Sequence, residues 1–242
     1  MAGALAAGAL VLPGATGPGA GAGAGAAVAA TTSSTTVLQL GFDGADTFAS
    51  GTSVLDDTGA ARGRVVTNRG ALTPTSGSPG RAVQYPCPTC GRALIEVPDA
   101  AALDPGTAAF SVGVDVRMTR EESRRSMNVA QKGYYGEPGG QYKLQVDQGR
   151  PSCVVSGSRT RLVAVASGTE ADVADGAWHR VVCSRTATEV LVLVDGVVRA
   201  RATGVVGSVA NASPLRIGAK NVSATDNDQF RADLDDVVVQ VG

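Results

Sequence analysis

Residues Asp175–Gly204 read "DGAWHRVVCSRTATEVLVLVDGVVRARATG". Within this stretch, Asp195-Gly196 is a two-residue loop of the kind that favours a type I′ turn, because both of its positions need positive φ. The residues on either side, Val190–Val194 and Val197–Arg201, are rich in the β-branched side chains that suit strands. The stretch therefore predicts an antiparallel hairpin centred on Asp195-Gly196.

A two-residue loop also fixes the register of a hairpin, and the register decides which side chains share a face. Direct pairing around the turn gives one face without charge, and we expect this face to point to the core: Leu191, Leu193, Val198 and Ala200. The other face carries Arg199 and Arg201.

The chain from Val37 onward repeats the two-residue period of half-buried strands. In "FSVGVDVRM" the alternate residues are apolar: Phe110, Val112, Val114 and Val116. "QYKLQVD", "PLRIGA" and "LDDVVVQV" have the same character, and no long stretch has a helical period. Short strands separated by glycine and proline predict an all-β fold, a sandwich or jelly roll of antiparallel sheets.

The 242-residue chain carries 21 basic and 22 acidic residues. A balanced charge leaves no basic face to collect nucleic acid or anionic lipid, so we expect neither partner. Aromatic residues make up only 4% of the chain, and valine and alanine must therefore fill much of the core.

Residues 1–36 form a Gly/Ala-rich leader without a charged side chain. Its apolar run, Ala2–Leu12, is too short to span a bilayer. The run resembles the apolar part of a secretory signal, and Ala27–Ala29 resembles its cleavage site, but the basic start is missing. Either the true start lies upstream of Met1 or the leader is only low-complexity sequence. We expect export, disorder in the leader, and one domain over 37–242.

The four cysteines predict two disulfides, which suits an exported protein. Cys87 and Cys90 form a C-P-T-C segment between prolines, which favours an irregular loop over a thioredoxin-like motif. A zinc site would be indicated by a second C-x-x-C, and there is none. Cys153 and Cys183 lie in strand-like segments that could neighbour each other in a sheet, so we expect them to pair.

Several pieces of the sequence follow one another as they do in a known family. "DGAWHRVVCSRTATEVLVLVDGVVRA" resembles the D-G-x-W-H-x-V…L-x-V-D-G-x signature of laminin G-like domains, in the concanavalin A-like lectin/glucanase superfamily. The other matching pieces are "LGFDG" with "VLDDTG", "FSVGVDVRM", "VAQKGYYG" with "GQYKLQV", "PLRIGA" and "FRADLDDVVV". One departure is Ala232, where the family often has glycine.

The resemblance covers nearly all of Val37–Gly242. It implies a two-sheet jelly roll that acts outside the cell as a carbohydrate- or protein-binding module, often with one calcium ion. In such a fold the ring of Trp178 caps the core, and His179 can form a hydrogen bond across the turn at Asp175-Gly176. A single histidine without a nucleophile setting is interpreted as scaffold.

Because the superfamily includes glucanases, the sequence must also be checked for a carboxylate pair. The family's catalytic motif has the form E-x-D-x-x-E or E-x-D-x-E, and this chain offers "EADVAD", with Glu170 and Asp172. The segment ends in Asp175, where the motif requires glutamate, and it leads directly into a turn. We therefore expect no catalytic residues, and a glycoside hydrolase is the least favoured alternative.

The loop "KGYYGEPGG", Lys132–Gly140, joins glycine with two adjacent aromatics and a charge. Such a loop suits sugar stacking, and we take Lys132, Tyr134 and Tyr135 as candidate ligand contacts. The alternative is an ordinary hairpin loop in a structural cell-envelope or extracellular domain that has no specific ligand. The expected partner is a glycan or an extracellular protein, for a secreted or cell-surface chain.

The resemblance also implies a calcium site where the first and last strands meet. Calcium prefers carboxylate and carbonyl oxygens. The candidate ligands are Asp43, Asp235 and Asp236, with Asp46 and Asp233 nearby. The alternative is that these carboxylates accept hydrogen bonds from backbone amides. A second acidic cluster at Asp226–Asp228 is a competing and more exposed position.

Overall fold

The structure is a computed structural model that describes residues 34–44, 47–58 and 62–242. The leader before residue 34, with its signal-like segment, lies outside the described residues, as does Asp46. The described residues form sixteen strands: β1 (Thr35–Leu40), β2 (Ser53–Leu55), β3 (Arg62–Asn68), β4 (Thr73–Ser76), β5 (Arg81–Gln84), β6 (Arg92–Val97), β7 (Phe110–Thr119), β8 (Met127–Lys132), β9 (Gln141–Asp147), β10 (Arg150–Ser156), β11 (Arg161–Val165), β12 (Asp175–Arg185), β13 (Glu189–Val194), β14 (Val197–Thr203), β15 (Leu215–Ile217) and β16 (Asp233–Val241).

These strands form two antiparallel sheets. The first sheet has the order β14-β13-β12-β7-β16-β5-β4, with β1 also paired to β16. The second has the order β11-β10-β9-β8-β15-β6-β3-β2. Their inner faces pack on each other around one apolar layer, which confirms the predicted all-β, two-sheet sandwich.

Three 3₁₀ turns are the helical elements of the described chain, at Ala101–Leu103, Glu122–Arg124 and Thr169–Ala171. In the part of the chain that the structure describes, no helix has the length and apolar character needed to cross a bilayer.

The inner faces follow the predicted two-residue period. On β7 the alternate residues Phe110, Val112, Val114 and Val116 are buried, as predicted. Tyr142, Leu144 and Val146 of β9 and Leu215 and Ile217 of β15 are buried as well. Phe110 and Tyr142 meet across the sandwich with ring centroids 5.0 Å apart, in the tilted arrangement that aromatic pairs tolerate well.

The predicted hairpin turn is confirmed. Asp195 and Gly196 have φ of 51° and 77°, as a type I′ turn requires. Next to the turn, Leu193 pairs with Val198 as predicted.

The predicted core face of this hairpin is wrong, because a β-bulge at Arg199 breaks the register beyond Leu193. Val192 pairs with Ala200, so the residues beyond the bulge change faces relative to direct pairing. The buried residues of β13 are Val190, Val192 and Val194, and Ala200 and Ala202 of β14 pack with them. Of the four residues predicted to face the core, only Ala200 does so; Leu191, Leu193 and Val198 lie on the outer face.

Both predicted disulfides are present. Cys87 pairs with Cys90, and Cys153 pairs with Cys183. The second bond differs from expectation in its position, because β10 and β12 belong to facing sheets and are not neighbours in one sheet. Cys153 and Cys183 are completely buried, and their bond ties the two layers of the sandwich together.

We predict that the Cys153→Ala/Cys183→Ala double variant loses roughly 3.5–4 kcal/mol of unfolding free energy, because the bond closes a loop of sequence separation 30 in the unfolded chain. The Cys87→Ala/Cys90→Ala variant is the matched control, and its shorter loop predicts a loss of only roughly 2 kcal/mol. Urea denaturation of the three proteins measures both values. Equal losses in the two variants would contradict the loop-closure account.

Candidate functional site

The main candidate site is a groove of about 480 Å³ on the outer face of the second sheet. It lies over β8, β9, β10 and β11, and we call it the groove throughout. Most of its floor is polar: Gln131, Gln141, Lys143, Gln145, Arg150 and Ser152. The lining also includes valines of β10 and β11, two tyrosines and four charged residues, Asp147, Arg161, Lys220 and Asp226.

The register of the sheet places these side chains in rows across the strands. Lys143 of β9 lies between Gln131 of β8 and Val154 of β10. In the next row, Gln145 lies opposite Ser152. Because side chains alternate along a strand, the inward core positions of β9 force these polar residues outward together. The groove floor is therefore the other half of the same pattern that builds the core.

Several polar atoms of the groove floor are buried without a hydrogen-bond partner in the described chain: Gln131 Oε1, Ser152 Oγ and Arg150 Nη1. The other end of the Gln131 amide is fixed, because Nε2 donates to Gly133 O at 2.7 Å. Buried polar groups in folded proteins nearly always have partners. These three side chains line the groove, and rotation of the Ser152 hydroxyl or the Arg150 guanidinium would let them form hydrogen bonds with the hydroxyl groups of a bound molecule.

Tyr135 provides an aromatic surface at the rim of the groove. Its side chain is among the most exposed apolar groups, at 75%, and the Arg161 guanidinium lies 5.3 Å from its ring centroid. A cation held over one face fixes the ring and leaves the other available for stacking. Tyr135 also lines a neighbouring cavity of about 420 Å³, between the 136–140 loop and the 156–158 turn.

Tyr134, the second candidate aromatic, is held in place more tightly than its neighbour. Its hydroxyl donates to Lys220 O at 2.6 Å and accepts from Arg216 Nη1 at 2.8 Å. The residue is half-buried and lines the groove. Its anchored hydroxyl makes Tyr134 a wall of the site, whereas Tyr135 can contact a ligand with its ring.

Lys132 does not belong to the binding surface, and this candidate contact is corrected by the structure. Its side chain is completely buried, and Nζ lies 2.7 Å from Asp99 Oδ1 and 2.9 Å from Asp104 Oδ1. Nζ also donates to Asn211 O. A buried ammonium needs such a set of partners. Lys132 therefore anchors the base of the loop.

The loop that carries the tyrosines joins β8 to β9 as a hairpin connection. Its glycines include Gly140, which has φ of 77° and leaves no space for a side chain, since a Cβ there would lie 2.1 Å from Ser156 O. The close approach packs the loop on the end of β10.

One end of the groove is electrostatically linked to the 220–228 segment. Lys143 Nζ lies 3.1 Å from Asp228 Oδ2, and Lys220 Nζ lies 2.5 Å from Asp226 Oδ1 and 3.4 Å from Asp228 Oδ2. Burial lowers the pKa of Lys143, and the nearby Lys220 charge adds to that effect, although Asp228 opposes it. These pairs occupy the carboxylates of the acidic cluster that competed as a calcium position.

Trp178 does not cap the core, and this expectation is also corrected. On β12 the inward positions are Val181 and Cys183, so alternation places Trp178 outward. The ring is half-buried beneath Arg117, whose guanidinium lies 4.9 Å from the ring centroid. Although the chain has few aromatic residues, the Trp178 ring therefore lies on the outer face of the first sheet and not in the core.

His179 forms the predicted hydrogen bond across the turn and a second one besides. Nδ1 lies 2.8 Å from Asp195 Oδ2, and Nε2 lies 3.1 Å from Asp175 Oδ1. Burial alone would lower the pKa of His179, but the two carboxylates together raise it. The imidazole thus ties the hairpin turn to the start of β12.

The two carboxylates of the glucanase-like segment, Glu170 and Asp172, pair with different arginines. Glu170 Oε2 lies 2.9 Å from Arg199 Nη1, and the Glu170 side chain is 80% exposed. Asp172 Oδ2 lies 2.5 Å from Arg120 Nη2 and 3.7 Å from Arg150. Partial burial would raise the pKa of Asp172, but the hydrogen bonds from Arg120 and the Ala174 amide and the Arg120 charge lower it, whereas a general acid needs a raised pKa.

The three candidate calcium ligands lie beside the turn between β4 and β5 and at the start of β16. Asp43 Oδ1 accepts from Arg81 N at 2.8 Å. Asp235 accepts from Ser78 N at 3.2 Å and from Asp236 N at 2.9 Å. Among the described residues, no three acidic, histidine or cysteine side chains converge as metal ligands. Asp43, Asp235 and Asp236 therefore do not form a calcium coordination shell by themselves.

Asp235 is nevertheless an unusual carboxylate, because the residue is only 1% exposed to solvent. Burial raises its pKa to about 6, and the neighbouring Asp236 and Asp115 carboxylates contribute to the rise. The hydrogen bonds from the Ser78 and Asp236 amides only partly offset this effect.

A laminin G-like family model of the concanavalin A-like lectin/glucanases superfamily matches residues 91–240. The chain belongs to this superfamily. The match spans β6 to β16, and so includes the groove strands and the central strands of the first sheet. No curated protein sequence matches the chain.

Solved structures share the fold of this chain at low sequence identity. Domain 4 of AbnA, an extracellular arabinanase from Geobacillus stearothermophilus solved with arabinotriose, is 20% identical with a TM-score of 0.62, covering 86% of this chain and 93% of that domain. The binding domain of Paraclostridial Mosquitocidal Protein 1 is 12% identical with a TM-score of 0.62, covering 84% and 48%. The binding domain of Botulinum Neurotoxin DC with SialylT is 9% identical with a TM-score of 0.58, covering 84% and 47%. The chain thus spans about half the length of the toxin domains, and these likenesses show the fold.

The sequence prediction missed the polar groove floor. Its signal was present in the alternation of "QYKLQVD", whose outward residues Gln141, Lys143 and Gln145 are all capable of hydrogen bonding. Ser152 and Gln131 could not be added from sequence alone, because their place in the groove depends on pairing between β8, β9 and β10.

We predict that Asp235→Asn makes the protein relatively more stable as pH rises. The native pKa of Asp235 lies above its unfolded value, so the wild type is stabilised by the bound proton at low pH and loses that stability as pH rises through about 6. The difference in unfolding free energy between Asp235→Asn and wild type should grow by roughly 2–3 kcal/mol between pH 4 and pH 7.5. Denaturation in EDTA across this range measures it, and a difference that is constant with pH would contradict the assignment.

Proposed function

We propose that this chain is a non-catalytic, secreted or cell-surface binding module that holds a carbohydrate in the groove. The observation that carries the proposal is a set of polar side-chain atoms without hydrogen-bond partners beside an exposed aromatic ring, with Gln131 and Ser152 in the groove floor and Tyr135 at the rim. Sugars present hydroxyl groups at their edges and apolar faces that stack on rings. The groove offers a partner for each.

The volume of the groove also suits this role, because small-molecule sites usually occupy about 300–1,000 Å³. Two relatives by fold support it: domain 4 of AbnA was solved with arabinotriose, and the Botulinum Neurotoxin DC binding domain with SialylT. The two disulfides support an extracellular location, where such bonds persist.

A protein partner is the second candidate for the same face, and one observation favours it. Another structure of the Botulinum neurotoxin DC binding domain, 12% identical to this chain, contains rat synaptotagmin II. In the present chain, however, the floor of the groove is polar and lacks the apolar centre that protein interfaces usually have. We therefore place the glycan first.

We predict that Tyr135→Ala and Ser152→Ala each weaken glycan binding, by about tenfold for the ring, because one lost sugar-stacking contact is worth roughly 1–1.5 kcal/mol. Glycan-array screening of the purified chain identifies a ligand, and isothermal titration calorimetry then measures each affinity. Both side chains are dispensable for the core, so the melting temperature should change little.

Arg201→Ala is the matched control, because this exposed side chain lies on β14 of the other sheet. It should bind as the wild type does. Loss of binding in Arg201→Ala, or full binding in both groove variants, would place the ligand elsewhere and contradict the proposal.

We also propose that a calcium ion stabilises the edge where β16 meets the 77–81 turn. The proposal is supported by the mutual repulsion of Asp235, Asp236 and Asp115, which a bound cation would relieve. Since the described carboxylates do not converge as a set, backbone carbonyls would have to complete the ligand shell. The ion would hold the strand edge in place and take no part in catalysis.

We predict that the melting temperature rises on moving from EDTA to millimolar calcium, as linkage requires for a ligand that binds only the native state. Asp43→Ala should abolish the shift. Asp226→Ala should keep it, because that carboxylate belongs to the other acidic cluster. An unchanged melting temperature would exclude calcium at both acidic clusters. A shift lost only in Asp226→Ala would place the ion at the Asp226–Asp228 cluster.

A further inference from the structure

A second cavity, of about 590 Å³, lies at the side of the groove and is rich in arginine. We call it the arginine cavity. Its basic lining residues come from separate parts of the chain: Arg92 at the start of β6, Arg124 and Arg125 before β8, and Arg231 before β16. The turn that carries Asp226 and Asp228 forms the opposite wall.

Three of these arginines have no carboxylate partner within the described residues. Arg92 Nη1 donates to Gly91 O at 2.8 Å and Nη2 to Ala224 O at 3.4 Å, while its Nε is buried without any partner. Arg231 Nη1 donates to Cys87 O at 2.9 Å. Arg125 is exposed and unpaired in the described chain. Only Arg124 forms an ion pair, with Glu121.

The unpaired guanidinium groups are close enough to repel one another. Burial lowers the pKa of Arg231, and the charges of Arg92 and Arg125 lower it further. Holding like charges together in a partly buried cavity costs free energy. An anion between them would remove that cost and would gain charge-assisted hydrogen bonds.

The acidic residues of the same cavity do not supply this anion. Asp228 is paired with Lys143 and Lys220, and Asp226 with Lys220. Glu122, beside Arg231 in the adjoining cavity at the Cys87–Cys90 loop, accepts from Thr119 N and Oγ1 at 2.7 and 2.8 Å. Asp147 is the remaining carboxylate of the lining, and it stands against three unpaired cations.

The arginine cavity is continuous with the groove, because Asp147 and Asp226 line both. A linear oligosaccharide lying in the groove could therefore place a substituent among the arginines. A planar guanidinium fork matches an oxyanion in two parallel hydrogen bonds, and several forks from different directions suit one such group.

We propose that the arginine cavity binds an oxyanion substituent, carboxylate or sulfate, of an acidic glycan whose backbone lies in the groove. The inference rests on the proposed glycan-binding function and adds the ligand's charge to it. It concerns a single local site, since the balanced charge of the whole chain provides no extended basic surface for a polyanion.

The first experiment tests the anion site without any sugar. Inorganic sulfate is titrated into the full chain at constant ionic strength, with chloride as the reference, and binding is followed by calorimetry and by the melting temperature. We expect sulfate to bind and to raise the melting temperature. Arg125→Gln and Arg231→Gln should each weaken sulfate binding by about tenfold, the effect of losing one charge-assisted contact. Arg201→Gln, an exposed arginine of the first sheet, should leave it unchanged.

The second experiment joins the site to the groove. Oligogalacturonate is compared with its neutral methyl ester, and a sulfated oligosaccharide with its unsulfated parent. We expect the acidic member of one pair to bind about tenfold more tightly. Arg125→Gln, whose side chain is exposed and separate from the core, should reduce that advantage while the neutral member keeps its affinity. The pair that shows the advantage distinguishes carboxylate from sulfate.

Each outcome bears on the two proposals differently. No response to sulfate overturns the anion site, whatever the groove binds. Equal affinity for acidic and neutral members overturns the acidic ligand and leaves the glycan-binding function standing. Sulfate binding with no affinity for any oligosaccharide overturns the glycan-binding function and, with it, the acidic glycan.

Discussion

The packing of two valine-rich sheet faces on each other is the constraint on which this structure depends. With few aromatic residues available, the layer between the sheets is filled largely by valine and leucine, as at Val112, Val114 and Val116 of β7 and Leu144 and Val146 of β9. Such a layer tolerates few errors of size or register, because each side chain fills a small share of the space. The Cys153–Cys183 bond passes through this layer and ties β10 of the second sheet to β12 of the first.

The groove follows from the same alternation. Each inward residue of β9 and β10 forces its neighbours outward, and in this second sheet the outward set, apart from Val154, carries amide, hydroxyl or charged groups. The outer face of the first sheet is used differently: there Arg117, Arg180 and the carboxylates around them pair with one another, and Trp178 lies beneath Arg117. Ion pairs cover much of the first sheet's outer face, although Asp233 Oδ1 and Arg199 Nε of that sheet are also buried without a partner. The second sheet is distinguished as the binding face by its groove, with the exposed ring of Tyr135 at the rim.

Local sequence predicted what depends on neighbours in the chain. The Asp195-Gly196 turn, the buried alternation of β7 and both disulfide pairs came from short segments whose physical requirements are strict. Prediction failed where a contact distant in sequence, or one extra residue in a strand, determines which way a side chain points. The bulge at Arg199 reversed the hairpin face, and the partners that bury Lys132 lie 28 and 33 residues before it and at Asn211. The arginine cavity draws on four separate segments and carries no signature in any one of them.

The buried position of Lys132 has a consequence for how this module could change. Its ammonium, with Asp99, Asp104 and Asn211, holds the base of the loop from inside the fold. The tip, with Tyr135, adds no packing to the core. The residues that anchor the loop are therefore separate from those that can contact a ligand, and substitutions at the tip should change the unfolding free energy little. A loop built in this way is a natural position for diversification, so directed evolution for new specificities should begin at the tip and leave the buried lysine untouched.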